Sequence, residues 1–211
     1  PAGKNTIVIV LADHGDGMGS HRMVTKQVSF YEEMTNVPFI IAGPGIHPRQ
    51  KPVEDLLTQP TIDLLPTLCE LAGIPVPSSK PGISLAPFLK GEKQKRQHPY
   101  AASEWHSEYE VTVSPGRMIR SPRYKYTHYL EGNGEELYDM LKDKGERRNL
   151  AHDPKYSKIL AEHRALLDDY IRRTQDDYRS LKVEADKRWR SHAPGYPNHE
   201  GPCARDIINR K

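Results

Sequence analysis

From Ile7 to Ala12 the chain runs six apolar residues without a break, mostly β-branched, and then turns at once into Asp13-His14-Gly15-Asp16-Gly17-Met18-Gly19. A run of this kind fits a strand buried on both faces, as in a parallel sheet flanked by helices. Ligands of such open sheets sit beyond the carboxyl ends of the strands, which is where Asp13 and His14 stand. A second strand reads Val37-Pro38-Phe39-Ile40-Ile41-Ala42, closed by Gly43-Pro44-Gly45. Its proline is tolerable only at the first position or on an edge. The six-residue run is also the longest apolar stretch in 211 residues, far short of the roughly 20 that a membrane helix needs. The 31 basic and 28 acidic residues leave a net +3, and they are interspersed rather than blocked, so neither a membrane span nor a nucleic-acid partner is expected. Hydrophobic residues make up 36% of the chain, enough for a core beneath a polar surface.

A helix is predicted over Thr61 to Ala72, with Ile62, Leu65, Leu68, Cys69 and Ala72 at three- and four-residue spacings and Gly73 at the C-cap. Pro66 either starts or kinks it. Cys69 reads as a small buried hydrophobe; neither it nor Cys203 belongs to a metal or disulfide pattern. Pro75, Pro77, Pro81 and Pro87 mark an irregular stretch, and Lys90 to Arg96 a solvated linker. Past residue 98 the texture changes. Arg117–Arg120, Tyr124–Leu130 and Glu136–Asp139 read as short aromatic-rich strands of an antiparallel meander. Asp153-Pro154 opens a long helix whose stripe includes Tyr156, Ile159, Leu160, His163, Leu167, Tyr170 and Ile171. The expected organisation is an α/β part over 1–97, a small α+β subdomain over 98–185 (antiparallel sheet and one long helix), and an irregular tail over 186–211.

An Asp beside a His on a tight, glycine-flanked turn can present two ligands to one cation. The plain alternative is a strand-end turn, where Asp and Gly are common. Asp16 either joins the pair or caps the turn. Lys26, 13 residues after Asp13, would suit an anionic substrate beside a metal, although a loop lysine is ordinarily solvated. His21 ordinarily makes one local hydrogen bond. Ser103-Glu104-Trp105-His106 carries an aromatic and a histidine suited to sugar contact, against the simpler reading of a buried Trp105 with exposed polar neighbours.

Thr6 to Asp16, Gly19-Ser20-His21, Lys26, Phe30-Tyr31-Glu32-Glu33 and Val37 to Ile41 together resemble the second half of the sulfatases, members of the alkaline phosphatase superfamily. Two further blocks agree: Ile62 to Pro75, whose Pro66 the family shares, and Glu136 to Ala151, similar to the family's C-terminal strand leading to its last helix. The resemblance implies a sulfatase-like sheet with flanking helices. It implies Asp13 and His14 as metal ligands, Lys26 as a catalytic contact to sulfate or phosphate oxygens, and His21 near the substrate; His106 is the further substrate-binding candidate. It implies a divalent metal, calcium first, with manganese or zinc admitted because His14 stands where the family usually has Asn. The substrate implied is a small-molecule or carbohydrate sulfate ester. The family's formylglycine motif, Cys-x-Pro/Ala-x-Arg, matches neither Cys69 nor Cys203, so the nucleophile and two further Asp ligands are expected in a missing N-terminal half. Export to the periplasm or secretion follows from the resemblance alone. The rival readings are a phosphonate monoester hydrolase or phosphodiesterase of the same superfamily, and a non-catalytic remnant.

Overall fold

A computed structural model describes residues 2–23, 29–54, 56–78, 81–94, 97–105, 115–130 and 134–181. The chain divides into two compact units: Pro1–Lys26 with Glu33–Ala101, and Gln27–Glu32 with Ala102–Lys211.

In the first unit β1 (Val8–Leu11) pairs with β2 (Phe39–Ala42), Val8 opposite Ala42 and Leu11 opposite Phe39. The pairing is antiparallel and not parallel, and it does not bury both faces: Val8, Val10 and Ile40 are 57%, 50% and 58% exposed on one face. A continuous apolar run reports that a strand is built to be covered, but it carries no information about direction. Direction follows from the connection: its 27 residues (12–38) are long enough for a parallel return, but such a crossover is usually made by a helix packed on the sheet. Between these strands the described helix is α1 (Glu32–Thr35), a single turn. Among the described residues no third strand joins the pair. Pro38 falls one residue before β2, where it takes no ladder bond.

The predicted helix is α2 (Pro60–Ala72), with Pro60 in its first turn and Gly73 closing it at φ 70°. Pro66 lies inside it and is buried. Having no N–H, Pro66 leaves the Ile62 carbonyl without its helical donor. Gly82 occupies that side: a Cβ on Gly82 would stand 2.1 Å from the Ile62 oxygen. Cys69 is buried, as its apolar neighbours implied. Asp63, 0% exposed, gathers the surroundings of the helix start. It accepts the Gln59 and Ile83 amides at 2.8 Å each and the His98 Nε2 proton at 2.7 Å. One further turn, α3 (Ala86–Leu89), is anchored when the Leu85 amide donates to Thr67 Oγ1.

The second unit is the expected meander, with one strand more. β3 (Ala101–Trp105), β4 (Gly116–Arg120), β5 (Tyr124–Tyr129) and β6 (Gly134–Asp139) are neighbours in that order. α4 (Ser157–Thr174) buries Leu160, His163 and Leu167 and packs on β4 and β5. Pro154–Tyr156 forms a 3-10 turn rather than the first α-helical turn, with Asp153 capping the Lys155 amide at 3.0 Å. Trp105, partly buried, packs against the buried cluster of Phe30, Met118 and Tyr129.

Lys125, 1% exposed, lies under this sheet and donates to the Phe30 carbonyl at 2.8 Å, with Glu32 at 2.6 Å and Glu146 at 3.0 Å completing its shell. Nearby, burial and the Glu146 charge push the Glu136 carboxyl up to about 8, against the pull of Lys125. The folded protein therefore holds a proton that the unfolded chain releases above the ordinary value of 4.5. The stability of this unit should fall as pH rises from about 4.5 to about 8. Glu136→Gln should flatten thermal stability across that window, with a gain of at most about 4 kcal/mol at pH 8. A slope unchanged from that of the parent protein would contradict the assignment.

Candidate metal and substrate site

β1 delivers Asp13 and His14 two and three residues past its last residue, Leu11. The Asp13 carboxylate turns back to accept the His14 amide at 3.0 Å, which fixes the pair on one turn. His14 Nδ1 lies 2.8 Å from the Gly15 carbonyl, an acceptor only, so Nδ1 carries the proton and Nε2 the lone pair of the neutral ring. That Nε2 stands 3.6 Å from Asp13 Oδ2, and the side chains are 42% and 88% exposed. A cation at roughly 2.0–2.6 Å from each atom would bridge such a gap as one pair of adjacent ligands. The backbone acceptor on Nδ1 is the outer-shell partner that orients a ligating imidazole. The donor set therefore fits a divalent cation, through one carboxylate oxygen and one imidazole nitrogen. Among the described residues no third His, Cys, Asp or Glu completes a metal-holding cluster.

Gly15 locks this turn in place. Its N–H donates to the Met34 carbonyl at 2.9 Å, and a Cβ there would come to 1.8 Å from the Glu33 oxygen. The loop that follows is held in an unusual backbone conformation. Met18, Gly19, His21 and Arg22 all have positive φ (46°, 98°, 49° and 62°), a region that costs a non-glycine residue about 1–3 kcal/mol. Backbone bonds from Gly19 to Met23 and from Met23 to Ser20 close the loop on itself. Its effect is to direct His21, 18% exposed, toward Glu33, with Nε2 and Oε2 3.8 Å apart. Glu33 was not singled out from sequence as a site residue; its only signal was its place in the aromatic-Glu pair of the resemblance. Lys26 and His106, the other two predicted site residues, lie outside the described residues, as does Cys203.

Comparison with known proteins decides the family. The profile of the N-sulphoglucosamine sulphohydrolase C-terminal family matches residues 19–173. The chain belongs to the sulfatases. It is 76% identical over all 211 residues to the Δ4,5-hexuronate-2-O-sulfatase of Bacteroides thetaiotaomicron, covering 44% of that protein. To human arylsulfatase K this sulfatase chain is 34% identical over 157 residues, 70% of its own length and 28% of the relative's. Among solved structures, a 2-O GAG sulfatase superposes with a TM-score of 0.88 at 77% identity, over 98% of this chain and 45% of that one. A phosphonate monoester hydrolase from Silicibacter pomeroyi gives 0.70 at 28% identity, over 84% and 37%. The chain spans less than half the length of each of these relatives. Membership carries with it a divalent metal in general.

Proposed function

We propose that the chain supplies the C-terminal part of a metal-dependent enzyme that hydrolyses a 2-O-sulfate ester on a hexuronate sugar. The observation that carries this reading is the facing of His14 Nε2 and Asp13 Oδ2 across 3.6 Å at the end of β1. The name of the 76% identical relative supplies the ester and the sugar. Asp13 and His14 hold the cation, calcium or, through the imidazole, manganese or zinc. When bound, the cation acts as a Lewis acid on the sulfuryl oxygens and orients the ester. His14 keeps its Nδ1 proton on Gly15 and offers Nε2. His21, braced by Glu33, faces the sugar; His106 is a separate substrate-binding candidate. Lys26 places an ammonium where charge gathers on the equatorial oxygens. The nucleophile and the remaining ligands come from an N-terminal half, which also covers Val8, Val10 and Ile40.

The test is turnover by the intact protein of an unsaturated 2-O-sulfated hexuronate disaccharide, beside an aryl sulfate and an aryl phosphate diester. The sulfates should be preferred; dominant diester cleavage would favour the phosphonate hydrolase reading, and no turnover of any would favour a remnant. Lys26→Ala should cut sulfate turnover about a hundredfold, the usual loss of one preorganised contact, while the melting temperature stays within about 2 °C. Unchanged turnover would remove Lys26 from the site.

A further inference from the structure

The segment leaving β2 builds a basic groove. β2 ends at Ala42, opposite Val8, so residues 43–54 leave the strand pair at the end away from Asp13. His47, Arg49 and Lys51 stand at alternate positions, with Pro48 and Pro52 bracketing the latter two and restricting the backbone. They line one groove of about 600 Å³ together with Glu54 and Phe88. One wall is anchored at His47. The His47 amide donates to the Leu89 carbonyl at 2.6 Å, tying the segment to the end of α3. Gly91, at φ 88°, lets the His47 ring in, since a Cβ there would stand 3.2 Å from it. The Arg49 guanidinium carbon lies 4.2 Å from the centre of the Phe88 ring, within cation–π reach.

We propose that this groove is an anion-binding site that takes the sulfate and carboxylate groups of a sulfated saccharide chain. The proposal rests on the reading of the protein as a saccharide sulfatase and adds a grip on substrate beyond the ester being cleaved. Arg49, resting against Phe88, can present its paired N–H donors to a sulfate or carboxylate. Lys51 adds an ammonium. Glu54 opposes them with a single charge, so Arg49 and Lys51 leave the lining cationic. Phe88, Pro48 and Pro52 in the lining offer apolar contact to sugar faces.

The experiment is titration of the intact protein with a size-defined, fully sulfated heparin octasaccharide, alongside its turnover of an aryl sulfate. Arg49→Ala/Lys51→Ala, both at exposed loop positions, should weaken octasaccharide binding at least about tenfold, with a shallower salt dependence. Aryl sulfate turnover should stay at the parental rate. Phe88→Leu, which keeps the apolar filling but removes the ring beneath Arg49, should weaken binding several-fold. Unchanged affinity in the double variant overturns the groove and leaves the sulfatase reading standing. Equal displacement of the octasaccharide by a DNA duplex overturns the saccharide assignment. Absence of aryl sulfate turnover in the parent protein defeats the sulfatase reading instead, whatever the groove binds.

Discussion

Asp63→Ala should destabilise the intact protein by about 4 kcal/mol, in the range for breaking a buried charged network by removing one partner. Asp63 is fully buried and accepts from three places at once: Gln59 before α2, Ile83 after Gly82, and His98 beyond the linker. Removing the carboxylate strands two amides and an imidazole N–H away from water, each costing about 1–3 kcal/mol unless the structure relaxes. It also removes a negative charge from the N-terminal turn of α2, where the helix dipole favours one. Asp63→Asn keeps the shape but loses one acceptor, so it should lose roughly half as much. Thermal or denaturant unfolding measures both; a loss under about 1 kcal/mol for Ala would show that the three contacts are not simultaneously made.

Gly15→Ala should be as damaging, for a different reason. The φ of Gly15 lies outside the left-handed region, so alanine meets no left-handed penalty there and the cost is dominated by collision. A Cβ 1.8 Å from the Glu33 oxygen cannot be accommodated by turning a side chain, because the obstacle is backbone. The turn must back away, giving up the Gly15 to Met34 hydrogen bond of 2.9 Å and moving the carbonyl that orients His14. The expected result is a loss of about 3 kcal/mol, at the upper end for overpacking, and a divalent-metal affinity lowered at least about tenfold in calorimetric titration. Parental stability and affinity together would mean that the loop does not rest on α1.

Local chemistry was legible in the sequence where a single residue type decides the conformation. Gly73 closes α2 because only glycine readily takes φ 70°, and the alternation of turns and aromatic segments fixes the β4–β5–β6 meander. Pro66 was readable as an anomaly, but not what lies against the carbonyl it leaves, because that residue is Gly82, sixteen positions away. The β1–β2 pair shows the converse limit. Its apolar run announces a covered strand, yet the sense of pairing follows from a connection with no sequence period of its own. β3 escaped notice because Ser103 and Glu104 interrupt any apolar pattern. At the site, Asp13 and His14 are adjacent in sequence, so their convergence needed only the turn. The pairing of His21 with Glu33 depends on three non-glycine residues at positive φ, which no propensity predicts.

The central claim is that Asp13 and His14 grip one divalent cation. Elemental analysis of the intact protein after exhaustive dialysis tests it most directly. Stoichiometric divalent metal should remain in the parent protein and be lost in Asp13→Ala, with sulfate turnover falling at least about a hundredfold alongside. Full metal content retained in Asp13→Ala would contradict the account.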